Sequence, residues 1–178
     1  MLLRADDSMT KLLEALLGEP LFLDALDQRR TTAAELSGAT RSALRCRTAD
    51  RVILRRSLLT TDNGRIVSEH SVAIMAEHEL AAVLTDERTP IGHSLSAAGR
   101  YVVRTILTTG VTTWTASGQR TGTRCAYREC VLEDHAGVPV AYMHEKVAPA
   151  VAPLEKRAWR YGRGDIDRGS PRTGASLR

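Results

Sequence analysis

Two stretches of this chain alternate apolar and polar side chains with a period of two, and each doubles back through a turn. That pattern commits the chain to antiparallel sheet. Residues 51–60 read as a strand, Asp62-Asn63-Gly64 as a tight turn and residues 65–75 as the returning strand. Asn-Gly favours such a turn because both residues tolerate the backbone twist a two-stranded hairpin needs. Residues 121–133 and 138–147 form a second hairpin around Asp134-His135-Ala136-Gly137, and Pro149 and Pro153 end it. Residues 101–117, rich in Val, Ile, Thr and Trp, add a further strand.

Helices are inserted between these strands. Leu12, Leu13, Leu16 and Leu17 recur at helical spacing within residues 6–18, with Asp7 or Ser8 as cap and Gly18 at the stop. Residues 76–86 place Leu80, Val83 and Leu84 on one side of a second helix. Thr89 caps a third, with Pro90 as its first helical residue. Residues 21–36 are ambiguous, a strand running into a loop being one reading, and residues 37–48 read as an exposed connection. The expectation is an α+β domain over residues 1–150, built on a single antiparallel sheet of about six strands with helices inserted between strands.

Charge narrows the function classes. Of the 178 residues, 150–178 carry seven basic and three acidic side chains, which is the whole net charge of +4. Residues 1–149 balance 18 basic against 18 acidic groups, so the domain is not expected to bind nucleic acid. Residues 151–178 form a basic tail with few apolar groups and are expected to be disordered. No apolar run is long enough for a membrane-spanning helix, and a cytoplasmic location is expected. Cys46, Cys125 and Cys130 have neither disulfide nor zinc spacing and read as buried free thiols. The sequence has no HExxH, no GxSxG and no glycine-rich phosphate loop, and its five histidines show no metal-ligand pairing. No metal and no cofactor is expected.

Four residues break the apolar pattern. Strand parity puts Glu145 on one face with Ala141, Met143 and Val147. A carboxylate there must be protonated, paired or bound to a ligand, and an ion pair with an Arg on a neighbouring strand is the structural alternative. Arg55 and Arg56 interrupt an apolar strand, so one of them points inward and needs an anion. Parity leans slightly towards Arg56, which lies with Val52, Leu54 and Leu58. Arg55 lies with Ile53 and Leu59 but also with Arg51 and Ser57. His70 shares a face with Ile66, Val72 and Ile74 and reads as a hydrogen-bonded inward histidine.

The order of these features resembles the chorismate lyase family, whose fold also serves the effector-sensing UTRA domains of bacterial regulators. Asp7-Ser8-Met9-Thr10 looks like that family's Asp-Ser-Met-Thr stretch, Leu54-Arg55 is similar to its Leu-Arg strand, and Thr89-Pro90-Ile91-Gly92 is similar to its Thr-Pro-Leu-Gly segment. Glu145 stands where the family has a Glu before its final proline, and Arg104 and Gly110 also match. The resemblance covers residues 6–149. It implies elimination of pyruvate from chorismate to leave 4-hydroxybenzoate, in a cofactor-free site closed by flaps. Arg55 and Glu145 would be catalytic. Arg55 would bind the ring carboxylate with backbone N–H groups at Met9 and Ile91, Glu145 would hold the hydroxyl at the other end of the ring, and His70 would line the substrate site. The resemblance thus selects Arg55 over Arg56.

His70, Ile74, His93 and Ser94 depart from the family pattern, which puts the substrate in question more than the fold. A binding domain that does not turn its ligand over is the alternative, as is an enzyme of secondary metabolism with another substrate. A complete regulator would need an upstream DNA-binding domain, for which this sequence has no room. A closed cavity near 300 Å³, with Arg55 facing Glu145, is expected of the lyase, and an open pocket with polar walls of the sensing domain. The expected partner is a small molecule, chorismate. The oligomeric state is left open, with a monomer favoured.

Overall fold

The computed structural model describes residues 8–115 and 122–154. Of the tail expected over 151–178, residues 155–178 lie outside them, as does the Asp7 cap, whereas Val151 and Ala152 pack against the core and do not belong to a disordered tail. Helix α1 (Met9–Leu17) leads into β1 (Phe22–Thr32), a single turn of 3-10 helix (Ala33–Glu35) and α2 (Gly38–Leu44). The first hairpin is β2 (Arg51–Thr60) and β3 (Ile66–Met75), followed by α3 (Ala81–Leu84) and α4 (Ile91–Ala97). Edge strand β4 (Val103–Thr113) precedes the second hairpin, β5 (Arg124–Glu133) and β6 (Pro139–Val147). The expected class is what is found: one six-stranded sheet in the order β1-β2-β3-β6-β5-β4, antiparallel throughout, with helices between strands.

Local chemistry explains most boundaries. Gly18 ends α1 at φ 71°, a left-handed value glycine adopts without a Cβ penalty. Gly64 turns the first hairpin at φ 76° for the same reason. Three expectations need correction. Residues 37–48 are not merely a connection, because the Ser37 side chain accepts a bond from the Thr40 N–H and starts α2. Residues 21–36 are mostly strand, and β1 fills the sheet edge beside β2. The helix expected over 76–86 shrinks to α3, and α4 starts at Ile91 with Pro90 as its cap. Among the described residues no helix is long and apolar enough to cross a membrane.

The hairpin registers align side chains into rows on the helix-covered face. Ile53, Ile74, Ala141 and Leu132 form one row, and Leu59, Ser68, Val147 and Ala126 another. Between them run Arg55, Val72, Met143 and Cys130, then Ser57, His70, Glu145 and Arg128. The first apolar row packs under α3 and α4 through Leu80, Leu84, Ile91 and Leu95. The other packs under α1 through Met9 and Leu13. Polar side chains thus occupy the middle of the sheet where two apolar clusters meet.

Candidate functional site

Met9 at the start of α1 and Ile91 at the start of α4 close over those middle rows. Beneath them lie Arg55, Ser57, His70, Met143 and Glu145, with Arg104 reaching in from β4. The five residues expected at the site (Met9, Arg55, His70, Ile91 and Glu145) therefore line one space. That space is about 20 Å³, near what one water needs and far below the expected volume. The flaps meet directly: a Cβ on Gly92 would lie 1.9 Å from Ser8 Oγ, so only glycine permits this contact. His93 Nε2 pairs with Glu14 Oε2 of α1 at 2.9 Å and fastens α4 to α1.

Glu145 sits in a complete shell. Arg128 Nε donates to its Oε2 at 2.5 Å, and Arg104 Nη1 approaches the same oxygen at 3.5 Å. His70 Nδ1 lies 3.3 Å from Oε1. Ser68 Oγ lies 2.8 Å from His70 Nε2, so a Ser68 hydroxyl donating to Nε2 leaves the Nδ1–H to face Glu145. Burial pushes the Glu145 carboxyl up, but the His70 hydrogen bond and the charges of Arg104 and Arg128 outweigh it and bring the carboxyl down to about 2. Cys130 Sγ stands 4.0 Å from Oε2, and burial pushes its thiol up to about 12, which leaves it inert. The ion pair with a neighbouring-strand Arg that parity left open is present.

Arg55 is the opposite case. It is 1% exposed, whereas the side chain of Arg56 is 57% exposed and pairs with Glu69. The parity lean towards Arg56 fails because both faces of β2 are covered, so Leu54 and Leu58 report the far face rather than the site. Arg55 Nη1 donates to the Leu84 carbonyl. Its Nε and Nη2 are buried and find no hydrogen-bond partner among the described residues. Burial lowers its pKa, with Asp86 and Glu87 pulling back at longer range. A guanidinium with two buried donors unused is suited to a carboxylate, which accepts in a two-pronged geometry.

Sequence reasoning missed Arg128, although the signal that found Glu145 applies to it. Arg128 shares its face of β5 with Ala126, Cys130 and Leu132. Ser68 carried no sequence signal, since it matters only through its contact with His70. Among the described residues no three side chains are grouped to hold a metal ion.

No protein-family model and no curated protein matches the sequence. Solved structures do. PhnF from Mycobacterium smegmatis superposes with a TM-score of 0.66 at 16% identity, over 83% of this chain. The chain spans 66% of that protein. The effector domain of PhnF alone gives 0.63 at 16% identity, over 81% of this chain and 90% of the domain. The ligand-binding domain of a GntR-family regulator from Bordetella bronchiseptica gives 0.53 at 14% identity, over 72% of this chain and 84% of the domain. At these identities the likeness concerns the fold, which is the chorismate lyase-like fold of such effector domains.

Proposed function

We propose that the buried site binds a small organic carboxylate, anchored by Arg55 and covered by the starts of α1 and α4. The observation that carries this reading is a fully buried guanidinium with two unused donors and no carboxylate partner among the described residues. A buried charge whose nearest carboxylates, Asp86 and Glu87, act only at longer range costs several kcal/mol, and a ligand carboxylate offsets that cost. The first-turn N–H groups of α1 have no intrahelical carbonyl within reach and add donors beside the anion. Effector and ligand-binding domains among the similar structures support a binding role on this fold.

The covered pocket supports a second reading, turnover of chorismate. Here Arg55 holds the ring carboxylate. Glu145 accepts from the ring hydroxyl through Oε1, the oxygen that His70 faces, while Arg128 and Arg104 meet Oε2. The ring loses one C–H proton, the bond between the ring carbon and the enolpyruvyl oxygen breaks, the leaving enolpyruvate takes up one proton to become pyruvate, and aromatisation drives the elimination. The chain supplies orientation, exclusion of water and stabilisation of charge on the leaving oxygen.

Incubation of the purified chain with chorismate, following pyruvate and 4-hydroxybenzoate, separates the readings. Product above background that disappears in Arg55→Ala supports turnover. Saturable binding without product supports the binding role alone. Neither product nor binding of chorismate, 4-hydroxybenzoate or benzoate contradicts both.

A further inference from the structure

The sheet face opposite Arg55 carries a second space, a groove of about 280 Å³ under α2. Its floor is Leu54 and Ala73 and its roof Leu36 and Thr40. The roof is tethered at several points. Arg29 pairs with Glu35 at 2.5 Å, Arg45 with Glu133 at 2.9 Å, and the Tyr142 hydroxyl bonds to Thr40. These tethers hold the 3-10 turn and α2 in place above the sheet, while Leu54, Tyr142 and His144 below them stay half-buried.

The chemistry of this groove differs from that of the Arg55 site. Arg29 is matched by Glu35 and Arg56 by Glu69, and Asp27 faces Arg56 in the β1–β2 register. Arg55 also borders the groove, but its guanidinium donates to the Leu84 carbonyl and lines the site on the other face, so the cations whose side chains belong to the groove are matched. Burial lowers the His144 pKa, which favours the neutral ring, and that ring stacks on Tyr127 at 5.2 Å. The Tyr142 hydroxyl is held by Glu129 and Thr40, so the neutral hydrogen-bonding groups left at the groove wall are His144 and Ser71.

We infer that this groove is a second small-molecule site, one for an uncharged planar ligand with a single hydrogen-bonding edge. An engineered apolar cavity of about 150 Å³ accepts benzene, so the groove has room for a two-ring molecule such as indole. Its charge balance selects against the carboxylates that suit Arg55. The two sites lie back to back on β2, β3 and β6, one taking anions and the other neutral rings.

The test is a titration of the whole chain with indole, followed by amide chemical shifts. Saturable shifts are expected at Leu36, Leu54 and Tyr142, with a Kd below about 1 mM. Excess benzoate should leave them unchanged. Ser71→Phe, which plants a ring in the groove, should weaken indole binding by about tenfold or more. The wild-type titration stands on its own if that variant does not fold. Absence of saturable shifts at the groove overturns the inference. So does an indole response confined to Met9 and Ile91, or benzoate binding in the groove in preference to indole. A failure of benzoate to bind anywhere would count against the Arg55 site and leave the indole result standing.

Discussion

The two ends of the buried site treat charge in opposite ways. At one end Glu145 is surrounded by Arg128, Arg104, His70 and the Cys130 thiol, so its charge is answered within the protein. At the other end Arg55 has one carbonyl partner and two idle donors. Both side chains are 1% exposed, so burial does not separate them. What separates them is whether the fold supplies the counter-charge. The Glu145 end is part of the folded core, and the Arg55 end keeps two buried donors without a partner among the described residues.

The largest effect should come from cutting into the answered end. Glu145→Ala leaves the Arg104 and Arg128 guanidiniums buried without their carboxylate and should cost about 3–5 kcal/mol in urea unfolding. A cost below about 1 kcal/mol would mean that this carboxylate is not a structural centre and would remove half of the contrast. Arg55→Met should move the other way. It replaces an unanswered charge by an apolar side chain of similar length, and should raise the stability of the ligand-free protein by about 1–4 kcal/mol. A loss of stability would show that Arg55 is already satisfied.

Acid unfolding probes the answered end without altering the core. The Glu145 carboxyl is lowered from 4.5 to about 2 in the folded protein. Its contribution to stability is therefore complete above about pH 4.5 and is lost as pH falls towards 2. Glu145→Gln should flatten the stability profile in that window, and an unchanged slope would contradict the shell described around Glu145. The smallest effect should be that of Ser68→Ala, about 1 kcal/mol for one hydrogen bond to His70. It acts on the His70 tautomer, so the NMR signals of the His70 ring nitrogens should shift even where the loss of stability is slight.

Much of this contrast was legible in the sequence. The Asn63-Gly64 turn and the two alternating hairpins define the sheet, and strand parity alone places Glu145 on an apolar face. Parity could not choose between Arg55 and Arg56, because it reads which residues share a face and not which face is covered by what. Both faces of β2 are packed, so both arginines look inward by pattern. The resemblance to chorismate lyases selected Arg55, and the burial of the two side chains agrees with that choice. The short helix α2 was hidden because its seven residues hold a single large apolar side chain, Leu44, and so show no apolar stripe. The size of the site was not legible either, since the approach of Ser8 to Gly92 is a contact between segments far apart in the chain.

The central claim is that Arg55 is held ready for a carboxylate. It is tested most directly by titrating the wild-type chain and Arg55→Met with 4-hydroxybenzoate in a calorimeter. The account predicts saturable binding to the wild type and a loss of at least about tenfold in affinity in Arg55→Met, with the variant at least as stable as the wild type. Equal affinity of the two proteins would contradict it.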